Sequence, residues 1–79
     1  MSDVVLIQVK SGFWLHKGKG DWWWLHYGLP IVTCVQAENE SDALVQLTRD
    51  LRMLRDDASS YELMQLYASA IAWIENYRA

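Results

Sequence analysis

The sequence predicts an α+β fold: an antiparallel β-meander of three or four strands followed by two amphipathic α-helices packed on one sheet face. Three observations predict it. Short runs rich in β-branched and aromatic residues fill positions 4–36, and turn residues separate those runs. Beyond residue 40 the apolar positions recur at steps of three and four instead, which is the period of a helix face.

The first strand is read at Val4-Val5-Leu6-Ile7-Gln8-Val9, ended by Ser11-Gly12. Two further strands, Phe13–Lys17 and Trp22–Tyr27, flank Gly18-Lys19-Gly20-Asp21, whose glycines supply the positive φ values of a tight hairpin. Gly28-Leu29-Pro30 breaks the pattern, since proline has no amide to give a sheet ladder, and Ile31–Val35 forms a fourth strand. Leu44, Leu47, Leu51 and Leu54 then mark a helix near 41–56, with the Ser41 hydroxyl positioned to cap its first turn. Asp56-Asp57-Ala58-Ser59 interrupts it. Ser59 and Glu62 have capping-box spacing for a second helix near 60–77, whose stripe is Leu63, Leu66, Tyr67, Ala70, Ile71, Ile74 and Tyr77.

With 79 residues the chain has room for one domain, spanning 1–79. A domain of this size buries only about 60 % of the surface its unfolded chain exposes, so stability is tight. Cys34 is the only cysteine, which excludes an internal disulfide and fits a reducing cytoplasm. The start of the chain has neither a basic n-region nor a cleavable apolar core, so no signal peptide is expected. No apolar run approaches the roughly 20 residues of a membrane-spanning helix. Apolar residues still make up 52 % of the chain, more than a small core alone calls for, so a partner or a second copy is expected.

The net charge of −3 is unevenly placed: residues 1–36 carry +1 and residues 37–79 carry −4. Duplex-binding domains are clearly basic, because neutralising phosphates drives their affinity. This balance argues against that class.

The five tryptophans are the unusual feature. An even-length turn at Lys19-Gly20 or at residues 18–21 places Lys17 opposite Trp22. Alternation along the strands then puts Phe13, Leu15, Trp22, Trp24 and His26 on one face. The other face receives Trp14, His16, Trp23, Leu25 and Tyr27. An odd-length turn changes the opposing pairs but keeps Trp22 and Trp24 together. Two helices cover one face, so the other presents aromatic rings outward, and such a patch marks an interaction site. The expected partner-binding residues are Trp22 and Trp24, with Phe13 and His26 beside them and Lys17 at the rim. The competing reading is that homodimerisation buries the same patch.

Catalysis is not expected. His16, His26 and Cys34 match no zinc-ligand spacing, and a fourth ligand would have to be a carboxylate. No metal or other cofactor is predicted. Cys34 and His26 fall on neighbouring strands, but a lone cysteine there is ordinarily a small buried hydrophobe. Gly18-Lys19-Gly20 is too short for a phosphate-binding loop and leads into no helix. Arg49, Arg52 and Arg55 form a solvated face offset by Asp42, Asp50 and Asp56. Single-stranded nucleic acid is the alternative partner, with bases stacking on Trp22 and Trp24 near Lys10, Lys17 and Lys19. Lysines on a sheet edge also serve simply to discourage strand pairing.

One stretch carries a family resemblance. Gly20-Asp21-Trp22-Trp23-Trp24-Leu25-His26-Tyr27-Gly28-Leu29-Pro30, then Cys34 and Glu40-Ser41-Asp42-Ala43-Leu44, resembles the small antitoxin domain of the HicB type. The resemblance covers residues 20–47 and implies a three-stranded sheet backed by a helix. Ile31 stands where that family has a glycine after the proline, the spacing to the helix differs, and the second helix does not look like the family's DNA-binding module. In style, though with no shared motif, the chain also looks like phage accessory and anti-defence proteins. The leading functional expectation is a non-catalytic inhibitor or adaptor that occludes another protein through its Trp-rich surface.

Overall fold

The computed structural model describes the backbone of residues 6–8 and the whole of residues 12–78. Within that range it contains the predicted meander and helix pair. The strands are β1 (Leu6–Gln8), β2 (Phe13–Lys17), β3 (Trp22–Tyr27) and β4 (Ile31–Gln36), and the helices are α1 (Glu40–Asp56) and α2 (Tyr61–Arg78). The four strands form one antiparallel sheet in the order β1-β2-β3-β4. Val4, Val5 and Val9 of the expected first strand, together with Lys10, lie outside the described residues.

The hairpin between β2 and β3 departs from the even-length expectation by one residue. Lys17 pairs with Trp23, not Trp22, and the Gly18 N–H donates to the Trp22 carbonyl at 2.8 Å. Three residues, Lys19 to Asp21, make the turn. Gly20 and Asp21 both adopt positive φ, 69° and 62°, a conformation open to glycine and tolerated by aspartate. The end of β4 fastens this turn: Ala37 N–H donates to the Asp21 carbonyl and the Gln36 amide to the Gly20 carbonyl, each at 2.9 Å. A one-residue slip exchanges the opposing residues of a whole strand.

Both helices lie against one face of the sheet. The core joins Phe13, Leu15, Trp23, Leu25 and Val35 to Ala43, Leu44, Leu47 and Leu51 of α1 and to Ala70, Ile71, Trp73 and Ile74 of α2. Burying each large side chain of this set stabilises the fold by about 1.5–3 kcal/mol. The strand β4 is bulged where it passes Leu25 and His26, so that Leu25 faces Thr33 while His26 faces Ile31.

The helix starts each move by a residue or two from the expected caps. Asn39, not Ser41, caps α1, its side chain accepting from Asp42 N–H at 2.8 Å. At α2 the cap is Ser60, not Ser59, with its hydroxyl accepting from Leu63 N–H at 3.1 Å. The α2 stripe is also shorter than its periodicity suggests: Leu63 and Tyr77 are 40 % and 37 % exposed, while Trp73 enters the core. The Tyr77 hydroxyl reaches Glu40 Oε1 at 3.1 Å, tying the end of one helix to the start of the other. Burial, and then that hydrogen bond, raise the hydroxyl above its ordinary pKa.

Candidate functional site

The turn register decides what the uncovered face carries. Because Phe13 pairs with Tyr27, Leu15 with Leu25 and Lys17 with Trp23, those six residues share the helix side. The opposite face receives Trp14, His16, Trp22, Trp24 and His26, with Cys34 and Gln36 continuing it onto β4. Five aromatic or imidazole rings thus stand together where helices cover nothing.

They form one connected group. Trp14 lies flat on His26 with ring centroids 3.9 Å apart and planes 11° from parallel. His16 is 6.0 Å from Trp14, 5.5 Å from His26 and 6.4 Å from Trp24. Trp22 follows at 6.1 Å from Trp24. Backbone contacts position the ends of the row. Trp14 Nε1–H donates to the Gly28 carbonyl at 2.7 Å. At the other end a Cβ on Gly18 would stand only 3.0 Å from Trp24 Nε1, so the absence of a side chain there leaves space for that indole.

His26 is the most enclosed member, 8 % exposed beneath Trp14. Its Nδ1 lies 3.4 Å from the Leu29 carbonyl, and its Nε2 lies 3.4 Å from Nδ1 of His16. A single set of tautomers satisfies both contacts: His26 Nδ1–H donates to Leu29, and His16 Nδ1–H donates to His26 Nε2. Burial pushes His26 below the usual imidazole pKa. The Leu29 hydrogen bond acts in the opposite sense, and repulsion from His16 adds to the lowering.

The structure brings together three of the expected residues and separates two. Trp22, 39 % exposed, shares the open face with Trp24 and His26. Phe13 does not: it is 2 % exposed in the core, between Tyr27 at 4.8 Å and Trp73 at 5.9 Å. Lys17 is on the helix side as well, its ammonium 5.8 Å from the centre of the Trp23 ring. Trp14 and His16 stand on the open face instead. Alternation along β2 signals both residues once the odd-length turn sets Lys17 opposite Trp23.

Other chemistry in the sequence resolves into ordinary contacts. Cys34 stands opposite Trp24, with His26 opposite Ile31, so the register does not face the thiol with that imidazole. Arg52 approaches Glu75 at 4.0 Å and Arg55 approaches Asp56 at 3.9 Å, all on exposed helix surface. Among the described residues no group of three or more His, Cys, Asp or Glu converges as a metal site. No described helix is long and apolar enough to cross a membrane. A hollow beside α2, lined by Phe13, Tyr27, Leu63, Leu66 and Trp73, lies on the helix side and includes none of the five open-face rings.

No protein-family model matches the chain, and neither a curated protein nor a solved structure is detectably similar to it. The HicB-type resemblance therefore rests on residues 20–47 alone.

Proposed function

We propose that this chain is a non-catalytic binding module, an inhibitor or adaptor, that lays the open tryptophan face of its sheet against another protein and occludes a functional surface there. The observation that carries the reading is the contiguity of Trp14, Trp22 and Trp24 on the face opposite the helices. An aromatic patch of this kind is uncommon on a free surface, and tryptophan dominates the energetic centres of protein interfaces. The open rings are pre-positioned by each other and by the Gly28 carbonyl, which reduces the entropy lost when a partner seats on them. The single cysteine suits a reducing compartment such as the cytoplasm.

Nucleic acid fits the same face less well. Lys17 lies on the helix side, so the face lacks one of the cations that would hold a phosphate backbone beside the rings. The test is affinity capture from a nuclease-treated lysate of the source cell, comparing the wild-type chain with a Trp22→Ser/Trp24→Ser variant shown to be folded by circular dichroism. The captured protein is then purified and titrated against both forms. An affinity reduced at least tenfold, the effect of losing about 1.4 kcal/mol, supports the docking face. Equal affinity for both forms sinks it.

A further inference from the structure

The same odd-length turn that gathers the tryptophans also brings the chain's two histidines together, although ten positions separate them in sequence. Their facing nitrogens, His16 Nδ1 and His26 Nε2, are 3.4 Å apart. That spacing suits an N–H···N hydrogen bond, and it also suits a shared metal ion. A divalent transition metal binds imidazole nitrogen at about 2.0–2.1 Å, so one ion touching both atoms subtends an angle of roughly 110°, the tetrahedral value.

We propose that His16 and His26 form a two-histidine site for a divalent transition-metal ion of the imidazole-binding class. Three features support it, and none depends on the docking reading. First, the remaining ring nitrogen of His26 faces the Leu29 carbonyl, the outer contact that typically fixes the tautomer of a metal-binding imidazole and leaves the other nitrogen's lone pair free. Second, Trp14 packs flat against His26 and holds the ring at its present angle. Third, His16 is only partly buried, so an ion can reach the pair while water fills its other positions. Binding needs His16 to carry its proton on Nε2 in place of Nδ1. This is a tautomer exchange that neither adds nor removes a proton at neutral pH. Sequence spacing could not reveal the site, because the two residues meet diagonally across neighbouring strands.

With two protein ligands the site is open, and its affinity follows the order of imidazole complexes, with Cu(II) above Ni(II). Ni(II) is the cleaner probe. The purified chain is titrated with NiCl₂ at pH 7.5, followed by tryptophan fluorescence and calorimetry, alongside His16→Ala, His26→Gln and Cys34→Ser. The expected result is saturable 1:1 binding that quenches fluorescence, weakened at least tenfold in either histidine variant and unchanged in Cys34→Ser. Binding weakens sharply by pH 5, where imidazole protonation competes with the metal. His16→Ala keeps the test sound if the buried His26 proves necessary for folding. Absence of saturable binding in wild type, or binding that survives His16→Ala, would overturn the site and leave the pair as a hydrogen bond only.

Discussion

The two faces of the sheet are built from the same strands and similarly aromatic residues, yet they hold their side chains in different ways. On the helix side, Leu15 and Leu25 are fully buried, and Trp23 directs its Nε1–H to the Ala37 carbonyl at 2.9 Å. Close packing from two layers fixes those residues. On the open side Trp14 is held by one backbone carbonyl and by stacking on His26, and Trp22 is more than a third exposed. Side-chain chemistry alone therefore does not assign a tryptophan to a core. Trp23 and its two neighbours are chemically identical, and only the alternation of side chains along β3 separates one from the others.

The largest loss of stability is expected on the covered face. Leu25→Ala should cost about 2–5 kcal/mol, from lost burial and from a cavity that helices and sheet cannot close together. Stability of a domain this size is roughly 4–12 kcal/mol, so the variant should melt far below wild type in denaturant. Trp24→Ser should cost less than half as much. Equal costs in urea titrations would mean that the open face is core.

A second contrast lies within the core. Trp23 has a hydrogen-bond acceptor for its ring nitrogen, whereas the buried Trp73 Nε1 has none among the described residues. Trp23→Phe should therefore cost about 1 kcal/mol more than Trp73→Phe, because it leaves the Ala37 carbonyl without its donor. Matching losses would remove the hydrogen bond from the account.

Titration of His26 sharpens the open side. Its folded pKa is lowered, so the unfolded chain takes up a proton near pH 6.5 while the folded chain resists. The unfolded state then binds more protons, and stability falls as pH drops through that value, levelling once the folded imidazole also titrates. His26→Gln should flatten this part of the stability profile between about pH 7 and pH 5. An unchanged slope would mean that His26 is not desolvated beneath Trp14.

Much of the fold was legible because its signals are local. The switch from strand runs to three- and four-residue spacing at residue 40 placed both helices to within a residue of their observed ends. Cap identity was less legible: Asn39 and Ser41 are both good capping residues, and the exit of β4 decides which one meets the first free amide. Of the residues expected to share the open face, Trp22, Trp24 and His26 lie there, while Phe13 and Lys17 lie on the helix side. That Trp22 and Trp24 share a face follows from alternation alone. Whether Phe13 or Trp14 joins them depends on the parity of a turn, and that depends on Asp21 accepting a positive φ and on Ala37 and Gln36 fastening the loop from a distant strand. Nothing local to Gly18–Asp21 reports those contacts.

The smallest expected stability effect carries the most information about the open face. Trp22 sits at the end of the ring row, is 39 % exposed and touches Trp24 only in a tilted arrangement. Replacing it with serine removes partial burial and one loose ring contact, so stability should change by about 0.5 kcal/mol or less, within the range of ordinary surface substitutions. A core residue of the same size would cost several times that. If Trp22 nevertheless anchors a partner, Trp22→Ser should lower affinity by tenfold or more while the urea midpoint stays near wild type. This separation of binding from stability is what an interaction surface predicts and a misplaced core does not. A large fall in the midpoint would instead place Trp22 in a buried contact, as when two copies of the chain pack face to face, and light scattering on the same sample would then give twice the monomer mass.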